Sequence, residues 1–338
     1  MKFRLSVPNP PLKTASGNLE NSDIQSKIHS LELEYPEKGH LFYKKTSCEI
    51  SDKSGFNVII GPALQRSHIF YDKLSEIFSR AGGTTYCLNW YGQGYVANND
   101  KKAQIPPSLG VEDNARHLVE FTDLALDSDD PTYILGHSWG SLPVLSAIEN
   151  DTLCREICDN TNLQGIGLFA PFFAMHSKKR ALGLPALTDI AGQIPGLKNT
   201  PISLSRNKIA GFVMKAIHGT NTLKEIELSD PDLRDLDRDF QRKFLTPAFM
   251  RQAGLAQKEL YASLNRTPDR IKTTIILPEI EKFTCNDVAE EWAHKMGAGI
   301  CHLPGARHSD LYDISSPASG ALITALCEVG IPLSNTQP

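Results

Sequence analysis

The sequence predicts an α/β protein: a mostly parallel sheet with helices on both faces, interrupted by a helical insertion. Three observations predict it. Short apolar runs alternate with segments of helical periodicity, the pattern of strand–helix–strand crossovers. That alternation stops near residue 172 and resumes near residue 266. Between one apolar run and one helical segment stands Gly136-His137-Ser138-Trp139-Gly140, a glycine-flanked serine at a strand-to-helix turn.

Bulk properties are compatible with this class. A chain of 338 residues is long for one domain but within reach of an α/β domain carrying an insertion. Hydrophobic residues at 41% and charged residues at 22% describe an ordinary globular protein. The net charge of -4 supplies no basic field, so nucleic acid is not an expected partner. The 7 cysteines are scattered and odd in number, which favours reduced thiols. Cys154 and Cys158 share a helical face, but no histidine or second cysteine pair accompanies them, so a structural role is expected rather than a metal site. The N-terminal MKFRLSVPNPPLKTASGN has no apolar segment of the signal-peptide kind, and no run approaches the ~20 apolar residues of a spanning helix. The expectation is a cytoplasmic protein that at most touches the inner face of a membrane.

Taken in order, residues 1–36 are polar and rich in Pro, Ser and Asn, and read as an N-terminal arm with one helical fragment around Asp23–Leu33. Leu41–Thr46 and Phe56–Ile60 read as strands, the second stopped by Gly61-Pro62. Phe70, Leu74, Ile77 and Phe78 recur at helical spacing and predict a helix over Phe70–Arg80. Thr84–Asn89 reads as a strand, Val111–Ala125 as a helix, Pro131–Leu135 as a strand and Leu142–Glu149 as a helix. Gly165–Phe169 reads as a buried strand. Residues 172–265 carry helical patterns without a convincing strand and are expected to form a cap. Strand signals resume at Thr273–Leu277 and Gly299–Leu303, with helices at Asp287–Met296 and Ala318–Val329. The core domain is thus expected over 37–171 and 266–338.

The chemistry follows from the order of these elements. A nucleophile on a strained strand-to-helix turn needs small residues two before and two after it, which Gly136 and Gly140 supply for Ser138. The new helix aims its first N–H groups at the serine, so the amide of Trp139 can face a developing oxyanion. A serine hydroxyl needs a base, and the expected chain order is serine, acid, histidine. Of the 10 histidines, His308 fits that order, in a loop directly after the late strand. The acid belongs after the strand ending near Leu277, where Glu279 and Glu281 compete. Glu281 is preferred, Glu279 is the reserve, and Asp287 is read as a helix cap. A second oxyanion amide is expected after Phe56–Ile60, from Leu64 or next from Ala63, because Pro62 has no N–H. Ala63 and His137 are expected to line the substrate site.

These residues resemble the α/β-hydrolase serine enzymes, and within them the lysophospholipase L2 and monoacylglycerol lipase group. Gly61-Pro62-Ala63 with Tyr71 is similar to the group's oxyanion segment. Asn89-Trp90-Tyr91-Gly92-Gln93-Gly94 is similar to its D-x-R-G-Q-G loop, with Asn89 and Tyr91 in place of the Asp and Arg. Gly136–Gly140 resembles its G-H-S-x-G elbow, Glu279–Asn286 its acidic stretch, and Gly305-Ala306-Arg307-His308 with Asp313 its histidine loop. Ser141 stands where a second glycine is common, which predicts looser helix–strand packing, and the acid is Glu rather than the commoner Asp.

The resemblance implies hydrolysis of a lysophospholipid or monoacylglycerol-like ester under a helical cap, with no metal or organic cofactor. Within the cap, Ile209–Met214 is apolar and His176–Arg180 is basic, features of cap core and a solvated face, or of an acyl tunnel with a cationic rim. A carboxylesterase, thioesterase or peptidase acting on a small non-lipid substrate is the nearest alternative. A catalytically silent protein of this fold that binds a ligand is the alternative from another class.

Overall fold

The structure is a computed structural model and describes residues 24–32, 40–48, 55–64, 66, 68–90, 110–126, 129–174, 189–190, 192–193, 247–264, 271–281, 283–312, 314, 316 and 318–333. Its strands are β1 (Ile24–Glu32), β2 (His40–Cys48), β3 (Phe56–Gly61), β4 (Gly83–Asn89), β5 (Pro131–His137), β6 (Asn162–Phe169), β7 (Lys272–Ile280) and β8 (Gly299–Arg307). They form one 8-stranded sheet in the order β1-β2-β4-β3-β5-β6-β7-β8. The β1–β2 and β2–β4 pairs are antiparallel, and every other pair is parallel.

Helices cover both faces: α1 (Asp72–Arg80), α2 (Val111–Ala125), α3 (Ser141–Glu149), α4 (Asp151–Asn160), α5 (Pro247–Ser263), α6 (Asn286–Met296) and α7 (Ser319–Val329). Alternate strand residues feed two separate cores, as the pleat requires. Ile59, Ile134, Leu168 and Ile275 join Leu118, Leu142, Ile157 and Trp292 on one face. Val58, Ile60, Leu135 and Ile276 join Leu74, Phe78, Leu322 and Leu326 on the other. All residues of β3 are buried, which is why its sequence runs apolar without alternation apart from Asn57, whose amide donates to Thr132 Oγ1. Each such aliphatic side chain contributes about 1.5–3 kcal/mol of burial free energy.

Several expectations need correction. Residues 24–32 are not a helical fragment of an arm but edge strand β1, paired along its length with β2. Ile24, Ile28 and Leu31 fall at i, i+4 and i+7, a spacing compatible with a helix, but sheet pairing overrides it. Helix α4 is an additional element, capped by Asn150, whose side-chain oxygen accepts from Thr152 N at 3.1 Å and Leu153 N at 3.1 Å. Within it Cys154 is packed in the core. Asp287 is not the cap of α6: the N-cap position is Cys285, and the exposed Asp287 sits in the first turn, where its charge favours the helix dipole.

Of the inserted region, α5 packs onto α2 and α3 and shares their apolar core through Phe249 and Leu260. The segments His176–Arg180 and Ile209–Met214 lie outside the described residues, as do Tyr91, Asp313 and residues 1–23. Among the described residues no helix is long and apolar enough to cross a membrane.

Candidate active site

Ser138 lies at the end of β5, where the strand turns through a 3-10 segment (Ser138–Gly140) into α3. Its φ of 53° is left-handed, a costly conformation for a residue with a Cβ. The flanking glycines are required by contact. A Cβ on Gly136 would stand 2.7 Å from Ser141 Cα, and one on Gly140 would stand 2.3 Å from Gly61 O. The turn is held from outside as well, since Phe172 N donates to Ser138 O at 3.0 Å. The looser packing expected from Ser141 is not found. Ser141 is fully buried and its hydroxyl donates to Gly136 O at 3.0 Å, stitching the helix to the strand.

His308 follows β8 directly, and Glu281 follows β7 directly. These neighbouring parallel strands bring the two side chains together: His308 Nδ1 lies 2.8 Å from Glu281 Oε2. The other carboxylate oxygen of Glu281 accepts from Phe283 N at 2.6 Å and Thr284 N at 2.9 Å. Burial alone would raise this carboxyl. The charge and hydrogen bond of His308 and the two backbone N–H groups outweigh it, and the group titrates below its ordinary value. Glu279 is elsewhere, on the exposed side of β7, accepting from Gly305 N at 2.7 Å. The turn that carries His308 is braced by a pair that strand and helix periodicity do not mark. Arg307 donates to the buried Asp310 through its backbone N at 2.9 Å and its Nε at 3.1 Å. An Arg–Asp pair at i,i+3 beside a catalytic candidate is the signal that could have revealed it.

The segment after β3 separates its two candidate donors. Ala63 N donates to Tyr71 Oη at 2.9 Å and is therefore committed. The N–H groups of Leu64 and Trp139 make no hydrogen bond among the described residues. His137, expected to line the substrate site, does not. It is fully buried, with Nδ1 2.8 Å from Tyr71 Oη and Nε2 2.9 Å from the backbone oxygen of His308. Consecutive strand residues face opposite ways, so the turn that presents Ser138 sends His137 into the core. Ala63 likewise has no polar group left for substrate.

Trp139 is also inside, at 1% exposure, with its ring 6.1 Å from Trp90 and 5.6 Å from Phe249 of α5. Its indole N–H has no hydrogen-bond partner among the described residues. Where the related loop carries an aspartate, Asn89 accepts from His68 N at 3.1 Å, and its amide nitrogen lies 3.0 Å from His68 Nδ1. Burial, and then the nearby Lys44, push His68 from 6.5 down to about 3. A neutral partner therefore serves this neutral histidine, without the ion pair an aspartate would have formed. Among the described residues no group of three or more His, Cys, Asp or Glu side chains is arranged to hold a metal.

No family profile matches the chain, and no curated protein sequence matches it. Solved structures do. A soluble variant of monoglyceride lipase from Saccharomyces cerevisiae, in complex with a substrate analogue, matches 94% of this chain and 100% of its own, with TM-score 0.69 and 12% identity. The monoacylglycerol lipase of Paleococcus ferrophilus matches 88% and 99% respectively, with TM-score 0.57 and 16% identity. A thermostable carboxyl esterase from Bacillus coagulans, in complex with glycerol, matches 89% and 98%, with TM-score 0.60 and 17% identity. At such identities the likeness speaks for the fold: the chain has the α/β-hydrolase fold.

Proposed function

We propose that the protein is a serine ester hydrolase in which Ser138, His308 and Glu281 act together. The observation that carries this reading is the 2.8 Å pair between His308 Nδ1 and Glu281, formed by a histidine whose backbone is bonded to the residue preceding Ser138. In this mechanism Ser138 Oγ attacks the ester carbonyl while His308 Nε2 takes its proton and passes it to the leaving alcohol. Glu281 keeps Nδ1 protonated, so that Nε2 is free to act as base, and supports the imidazolium that forms. The amides of Leu64 and Trp139 stabilise the oxyanion. Water then releases the acyl group through the same histidine.

The substrate class we propose is a lipid-like ester, a lysophospholipid or monoacylglycerol, handled in the cytoplasm or at the inner face of a membrane. Support comes from the motif resemblance and from the monoacylglycerol lipases among the structural neighbours. The carboxyl esterase among those neighbours supports a small-ester alternative. A fluorophosphonate probe tests the chemistry: labelling at Ser138 that disappears in Ser138→Ala and falls steeply in His308→Ala is expected. An unlabelled but folded protein would mean a silent binding protein. An ester panel of increasing acyl length tests the class, since a lipid enzyme gains rate with chain length and a small-ester enzyme loses it.

A further inference from the structure

The proposed mechanism leaves two buried side chains beside the site without a task, Tyr71 and His137, and their hydrogen bonds form a single directed chain. The backbone oxygen of His308 can only accept, so the Nε2 that lies 2.9 Å from it carries a hydrogen. Burial, followed by the charge of His308, holds His137 well below its ordinary value, so the ring is neutral and its Nδ1 is bare. That nitrogen must accept, and the donor is Tyr71 O–H at 2.8 Å. Tyr71, kept a phenol by its complete burial, in turn accepts from Ala63 N at 2.9 Å. Every hydrogen in the chain is used once, and each ring nitrogen of His137 has its partner.

The surroundings enforce the arrangement. Phe169 and Tyr312 each place a ring centroid 5.4 Å from that of His137, and Tyr71 lies edge-on at 5.9 Å. The charged and titratable groups facing the ring are His308, Arg66 and the two phenols; burial and the charges of His308 and Arg66 oppose a second proton and outweigh the backbone hydrogen bond to His308, which favours one. The ends of the chain matter most. One end is the residue before Leu64, the proposed oxyanion donor, and the other is the backbone of His308, the proposed base.

We propose that Tyr71 and His137 are positioning residues, a fixed relay that sets the oxyanion segment and the catalytic histidine in register on either side of Ser138. This rests on the hydrolase reading above. The relay touches no substrate. It holds the Leu64 amide through Ala63, and it holds the base through a main-chain bond, complementing the side-chain bond from Glu281. Loss of either hold displaces groups that act on the transition state, so kcat should fall while KM changes little.

The test uses the full-length protein, p-nitrophenyl butyrate for turnover, and a fluorophosphonate for Ser138. Tyr71→Phe removes one hydroxyl and is expected to lower kcat by about 10- to 100-fold, with KM within about threefold. His137→Phe fills the space and removes both bonds, and should lose at least as much. His137→Gln can accept from Tyr71 and donate to His308, so it should recover most of the activity. A purely structural role would instead lower the melting temperature of Tyr71→Phe and His137→Phe while the folded protein kept wild-type kcat; that result overturns the relay. Wild-type labelling by the probe reports on the hydrolase reading alone. The downfield NMR resonance of the His308 Nδ1 proton reports on the relay without turnover: its broadening in Tyr71→Phe supports the hold on His308, and its persistence unchanged counts against it.

Discussion

Glu281 turns one carboxylate oxygen to His308 Nδ1 at 2.8 Å and the other to the amides of Phe283 and Thr284. The carboxylate is thereby fixed by its own loop before it orients anything else. Glu281→Gln keeps the shape but can present an amide N–H to Nδ1, which favours the wrong imidazole tautomer. A kcat loss of about 10³-fold or more is expected, on the scale of acid-to-amide changes in such triads. Glu279→Gln should leave kcat within about threefold, because the Glu279 carboxylate binds Gly305 N, away from His308. Steady-state rates for the two variants decide it, and the reverse ranking would overturn the assignment.

Ser138 stores backbone strain, with φ at 53°. Ser138→Gly relieves it and removes the proposed nucleophile at once. It should abolish probe labelling and raise unfolding free energy by about 1 kcal/mol relative to Ser138→Ala, which keeps the Cβ and the strain. Urea unfolding of the two variants is the measurement; equal midpoints would mean the turn is not strained.

His68 predicts a pH dependence. Its proton is bound at 6.5 in the unfolded chain and only at about 3 in the native protein. Between those values the unfolded state binds the extra proton, so stability is full above pH 6.5 and falls as pH drops toward 3. The slope from this one residue is about 1.4 kcal/mol per pH unit. His137, lowered in the same direction by burial, adds to it. Denaturant melts from pH 7 to 4 should show His68→Gln with a shallower decline than the wild type; identical slopes would refute the contribution.

Among the described residues the buried indole N–H of Trp139 has no acceptor. An unsatisfied buried donor costs about 1–3 kcal/mol, which partly cancels the packing gained by the ring. Trp139→Phe should therefore be tolerated, with a stability change within about 1.5 kcal/mol, whereas Trp139→Ala should lose about 3–5 kcal/mol. Equal losses in thermal melts would show that the indole nitrogen does have a partner in solution.

Most of the sheet was legible from local pattern, because buried parallel strands are short apolar runs and their crossover helices carry a 3.6-residue period. Strand β3 and helix α2 show both signals without ambiguity. The site was legible where chemistry demands an order along the chain: glycine-flanked Ser138 after a strand, His308 after the late strand. It was not legible where the deciding partner is remote. Residues 24–32 have helical spacing of Ile24, Ile28 and Leu31, and only the availability of β2 as an antiparallel neighbour makes them a strand.

The sequence by itself determined the fold class, the elbow at Ser138, the base candidate His308 and the two glutamates that could stand behind it. Each of these depends on residue type and order over a short stretch. The tertiary structure alone decided which glutamate meets the histidine, since Glu279 and Glu281 are two apart and the parallel β7–β8 register carries Glu281 to Nδ1 while Glu279 reaches Gly305. It also decided that His137, beside Ser138 in sequence, belongs to the core. The strand end turns successive side chains to opposite sides, and the ring finds Tyr71 and the His308 carbonyl there. Contacts between residues far apart in the chain leave no periodic trace, so they become visible only when the sheet has assembled.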